Sequence, residues 1–161
     1  MACCFPQILV SQVMTRMRLN YRGEPAAYDE WKKTFRNVWL ISALYYMLNG
    51  LTTPDVKLDE NGYPVPDTID PTVGTVNNII SCIFGLYVWY ILYTTRVRIR
   101  ERYNIPEERC AGCEDMVCTI CCGCCTAAQM ANHTADYDVI RATCCTKTGL
   151  PEIVDPEAMY E

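Results

Sequence analysis

The longest unbroken apolar pattern in the chain runs from Val73 to Thr95, 23 residues without Asp, Glu, Lys, Arg or His. That length predicts a helix able to cross a bilayer. Its end carries Tyr87, Trp89, Tyr90 and Tyr93, where an aromatic belt would meet the lipid headgroups. A second apolar stretch, residues 35–51, contains the charge-free run Val38–Leu48 and lies at the short limit of a spanning segment. Near the N-terminus, Leu9, Val13 and Met17 recur every fourth residue and predict an amphipathic helix over residues 7–19, ended by Gly23-Glu24-Pro25. The same pattern suits a helix packed on the rest of the domain or one lying in a membrane interface. The predicted class is all-α: an apolar two-helix hairpin, an N-terminal amphipathic helix and a cysteine-rich helical segment.

Polar residues give this pattern an orientation. The loop of residues 52–72 holds four prolines (Pro54, Pro64, Pro66, Pro71) and five acids against the single Lys57. Of the fourteen Lys and Arg, six fall between Arg16 and Arg36 and four between Arg96 and Arg102. The positive-inside rule therefore predicts a multi-pass protein with both termini cytoplasmic and the acidic loop across the membrane. Arg96, Arg98, Arg100 and Arg102, immediately after the apolar run, are candidates for lipid phosphate contact. The net charge of -5 argues against a nucleic-acid partner.

Twelve cysteines in 161 residues set the candidate chemistry. The opening Met1-Ala-Cys-Cys-Phe-Pro lacks the basic stretch of an export signal, so the thiols are expected in a reducing compartment. Eleven of the twelve fall on the predicted cytoplasmic side, the exception being Cys82. The cluster Cys110, Cys113, Cys118, Cys121, Cys122, Cys124 and Cys125 has spacings that suit soft metal ions, and Cys144-Cys145 follow. On a continuous helix Cys121, Cys125, Gln129 and His133 would share one stripe, with Cys118 and Cys122 on the next, which makes His133 a candidate nitrogen ligand. Zinc or another soft divalent metal is the implied cofactor. Packing thiols, redox chemistry and S-acylation are the other readings, with Cys3 and Cys4 as candidate acylation sites. No phosphate loop, catalytic triad order or buried carboxylate pair is present, and no enzymatic activity is expected.

In this segment the chain resembles the placenta-specific gene 8 family, which includes plant cadmium-resistance proteins and fruit-weight regulators. The resemblance rests on Cys4-Phe-Pro6 with Ile8–Val13, and on Arg96-x3-Arg100-x2-Tyr103-x-Ile105 leading into Cys110-x2-Cys113 and Cys121-Cys122-x-Cys124-Cys125-x3-Gln129. It implies a domain over residues 1–145 (helices about 35–51 and 73–95, cysteine-rich 110–145) followed by a tail, 146–161. It also implies a self-associating membrane protein, with the plasma membrane favoured over an organelle membrane, linked to divalent-metal resistance. The alternative is a structural or adaptor subunit of a larger membrane complex.

Overall fold

The structure is a computed structural model that describes residues 5–52, 71–106, 113–143 and 146–151. Among these residues it is all-α, with six helices: α1 Pro6–Arg16, α2 Tyr28–Trp31, α3 Thr34–Thr52, α4 Pro71–Tyr103, α5 Glu114–Cys121 and α6 Gly123–His133. Two compact units are formed, one from Met1–Leu40 with Val88–Glu161 and one from Ile41–Tyr87.

The first unit is built around α1. Pro6 sits at the start of this helix, where its missing N–H and fixed φ suit the first turn. Val10, Val13 and Met14 are fully buried, and α1 packs on α6, whose Ala127, Met130 and Ala131 face inward. Burial continues around the helix to Gln7, Ser11, Gln12, Thr15 and Arg16. An interfacial helix would keep its polar side wet; α1 is therefore a core helix, and the interfacial alternative for residues 7–19 is set aside. The buried hydroxyls are satisfied locally, Ser11 donating to the Ile8 carbonyl at 2.6 Å and Thr15 to that of Ser11 at 2.8 Å.

Arg16 has no exposed surface and takes its acceptors from distant parts of the chain. Its Nε donates to the Thr148 carbonyl at 2.6 Å, one Nη to the Ala131 carbonyl and the Thr134 hydroxyl, and the other Nη to the Tyr137 hydroxyl at 2.5 Å. Gln12 adds a bond to the Thr146 carbonyl at 3.0 Å, and Leu150 is 1% exposed. Residues 146–151, expected as the start of a tail, are thus fastened to α1.

Two helices end alike. After α1, Arg18 adopts φ 57° while Leu19 donates to the Met14 carbonyl and Arg18 to that of Thr15. After α4, Asn104 has φ 51° and Ile105 donates to the Arg100 carbonyl. These are Schellman-type ends with a non-glycine residue in the left-handed position. The turn after α1 closes through Asn20, whose side-chain oxygen accepts from the Arg22 and Glu24 amides, and through a Leu19–Pro25 bridge. Gly23 takes φ 81° there, and a Cβ on it would stand 2.8 Å from the Thr94 Cβ on α4. Only glycine lets the turn approach α4 so closely.

In the second unit Tyr45 of α3 stacks on Phe84 of α4, with centroids 3.9 Å apart and planes within 7°, and the Tyr45 hydroxyl meets Ser81 Oγ at 3.3 Å. Large apolar side chains nevertheless stay exposed, among them Leu44, Met47 and Leu51 on α3 and Ile79, Ile83 and Leu86 on α4. Of the two apolar segments expected to span, one is long and apolar enough among the described residues: Thr72–Tyr103, with 11% of its apolar window buried. The α3 segment falls short because Arg36, Asn37 and Asn49 trim its apolar core to residues 38–48. Eleven residues of helix rise only about 17 Å, against about 30 Å of hydrocarbon. The acidic residues of the 52–72 loop lie outside the described residues.

Candidate thiol site

The thiols are positioned by a charged clamp on α4. Arg96 and Arg100, one helical turn apart, both reach the same carboxylate oxygen of Asp115, at 2.8 and 2.7 Å. Asp115 lies in the first turn of α5, where an acid also suits the helix dipole. All three side chains are largely withdrawn from solvent, at 16%, 9% and 8% exposure. Arg96 also approaches Gln129 Oε1 of α6 at 3.4 Å. Two of the four arginines proposed for lipid contact therefore turn inward and bind α5. Arg98 pairs with Glu101 at the surface, and Arg102 is exposed.

The helical stripe expected from Cys121 to His133 does not form. Cys122 leaves helical geometry, with φ −147° and ψ 71°, so α5 ends at Cys121 and α6 starts afresh at Gly123. Thr126 staples the break, its hydroxyl lying 3.1 Å from the Cys118 carbonyl and 3.0 Å from that of Cys122. Gly123 packs against Leu92 of α4, where a Cβ would sit 3.2 Å from Cδ2. The break turns the chain so that Cys122, Cys124 and Cys125 bring their sulfurs within 4.8 Å of one another.

Cys122 and Cys125 are joined by a disulfide, and Cys124 Sγ stands 3.9 Å from Cys122 Sγ. Cys113 is also disulfide-bonded, whereas Cys118, Cys121 and Cys124 are free thiols, as is the exposed Cys82 on α4. Bonds of 2.3 Å from a tetrahedral metal to sulfur put its ligands about 3.8 Å apart. The Cys122–Cys124 separation of 3.9 Å fits that spacing. The three sulfurs thus have two chemical states: a disulfide beside one thiol, or, when reduced, three thiols suited to a soft metal.

His133 is not part of this group. It ends α6, eight residues beyond Cys125 and so about 12 Å along the axis, and packs edge-on against Tyr103 with centroids 4.9 Å apart. There it lines an open groove of about 570 Å³ with Asp136, Tyr137 and Asp138. Cys3, Cys4, Cys110, Cys144 and Cys145 lie outside the described residues. The residue that sequence reasoning passed over is Asp115. The paired Arg96 and Arg100 on one helical face were the sign that a buried acid partner was needed.

No curated protein and no solved structure matches the chain. The model of the PLAC8 family matches residues 1–133, from the N-terminus through the last residue of α6. The matched span includes the Arg16 helix, the Arg96–Asp115–Arg100 clamp and the three-sulfur group, and on that match the chain belongs to the PLAC8 family.

Proposed function

We propose that the protein is a non-enzymatic, membrane-held thiol protein that binds or senses a soft divalent metal, zinc or one like it, through Cys122, Cys124 and Cys125. The observation that carries this reading is the convergence of those three sulfurs at the α5–α6 break. Three thiolates leave one position of a tetrahedral ion open. A thiolate from a second copy would fill it and couple metal binding to self-association.

Membrane attachment is supported by the exposed apolar surface of α4 and α3. The packing of α1 on α6 adds a topological argument. Two segments folded into one unit must lie on one side of any bilayer, so a chain that enters it between them must also return. That favours an inserted hairpin with both termini on the same side, the cytoplasmic one by the charge rule. The short α3 would be accommodated by local thinning of the bilayer or by helix association.

The test is metal analysis of protein purified in detergent with reductant and without chelator. Bound zinc or cadmium, lost in the Cys122→Ser/Cys125→Ser double variant, is the expected result. Fully reduced native protein free of metal would refute it. The exposed Leu44, Met47 and Leu51 of α3 favour one alternative, an adaptor subunit that docks on other membrane proteins. Recovery at fixed stoichiometry in an isolated complex would support that alternative.

A further inference from the structure

We infer that Cys122 and Cys125 are a reversible dithiol–disulfide couple, open to exchange with low-molecular-weight thiols. Its bearing on metal rests on the reading above; the couple itself does not. Three features of the site carry it. The two residues flank the start of α6 with Cα atoms 5.4 Å apart, inside the range that a disulfide accepts, so the bond forms or opens with little backbone movement. The backbone between them is held independently of the bond, by the Thr126 hydroxyl and by Gly123 against Leu92. Cys125 is exposed and Cys122 half-buried, so one end of the bond is open to attack.

The exchange balances as two successive displacements. An external thiolate attacks the Cys125 sulfur, the Cys122–Cys125 bond breaks, and Cys122 leaves as a thiolate. The product is a mixed disulfide on Cys125. A second external thiolate attacks the outer sulfur of that mixed disulfide and releases Cys125 as a thiolate. Two external thiols are thereby oxidised to one small disulfide, and two electrons pass to the protein. The reverse sequence, driven by a small disulfide, restores the bond. Closing it removes two of the three sulfurs offered to a metal, so oxidation releases the ion and reduction readmits it.

The experiment uses the full chain in detergent micelles, equilibrated with defined mixtures of reduced and oxidised glutathione and quenched in acid. Differential alkylation with peptide-resolved mass spectrometry then reads each cysteine, and zinc is measured on parallel samples. Cys122 and Cys125 should become labelled together and reversibly as the glutathione ratio rises, while Cys124 is labelled throughout. The Cys122→Ser variant should leave Cys125 as a mixed disulfide with glutathione. Cys122 and Cys125 reduced in every mixture, or oxidised only to other partners, overturn the proposal. A reversible couple in a protein that binds no zinc when reduced leaves the couple standing and ends the metal reading. Zinc bound without a reversible couple does the opposite.

Discussion

Replacing Arg16 by alanine tests whether α1 is a core helix. In the structure this guanidinium is fully buried and donates to the carbonyls of Ala131 and Thr148 and to the hydroxyls of Thr134 and Tyr137. A hydrogen bond from a charged donor contributes about 1.5–3 kcal/mol, and a buried acceptor left unpaired costs about 1–3 kcal/mol. These bonds share one guanidinium, with one Nη serving two acceptors, and are not additive, so two effective losses are a fair lower count. Arg16→Ala should therefore destabilise the unit by about 3–5 kcal/mol, a large part of the roughly 5–15 kcal/mol that holds a domain together. For a domain of this size that lowers the melting temperature by at least about 12 °C. Arg16→Lys, which keeps the charge but reaches fewer acceptors, should fall between. Arg98→Ala is the control, because its pair with Glu101 is 41% and 57% exposed and should be worth less than about 0.5 kcal/mol. Thermal unfolding in detergent, followed by near-ultraviolet circular dichroism, reads all three. An Arg16→Ala melting temperature within 3 °C of the parent, on the order of the roughly 0.5 kcal/mol expected of a surface change, would refute the buried placement and return α1 to the membrane surface.

Further outcomes follow from other contacts. Asp115→Asn leaves Arg96 and Arg100 facing a neutral amide and should destabilise by about 3 kcal/mol, with α5 exchanging its amide hydrogens faster. Gly23→Ala should lower the melting temperature through both its φ of 81° and its collision with Thr94, whereas Gly85→Ala, in open space on α4, should be tolerated. Thr126→Val removes the staple between α5 and α6 and should cost about 1–2 kcal/mol, with hydrogen exchange rising in residues 118–126. Ile83→Asp, at a side chain 63% exposed, should abolish flotation with vesicles while the unit containing α1 still melts cooperatively; unchanged flotation would remove α4 from the membrane.

Much of the fold was legible in the residue pattern. The all-α class, the long apolar helix and the helical repeat of Leu9, Val13 and Met17 all follow from spacing. What spacing did not reveal was what covers each helix. Periodicity marks an apolar face, but α1 is enclosed on its polar face as well, by residues more than a hundred positions downstream. The arginines at the end of α4 were read as a charged row beside lipid, since nothing local marks Asp115, fifteen residues beyond Arg100, as their partner. The cysteine stripe depended on an unbroken helix, and the break at Cys122 undid it. The eight-residue separation of Cys125 and His133 along α6 keeps the imidazole away from the thiols, while the break gathers Cys122, Cys124 and Cys125, of which Cys124 would point away from the other two on one straight helix.

The long-range hydrogen bonds of Arg16 also set the order in which the chain matures. Its acceptors at Ala131 and Thr148 come 115 and 132 residues later. At a synthesis rate of about 5–20 residues per second, α1 waits roughly 7–26 s for the last of them. The segment from Ile41 to Tyr87 emerges within that interval, so any membrane insertion begins while the N-terminal helix still lacks its partners. Of the Arg16 acceptors, the carbonyl of Thr148 arrives last. A product that stops short of it would keep the Arg16 bonds to Ala131, Thr134 and Tyr137 but leave its Nε without the Thr148 carbonyl.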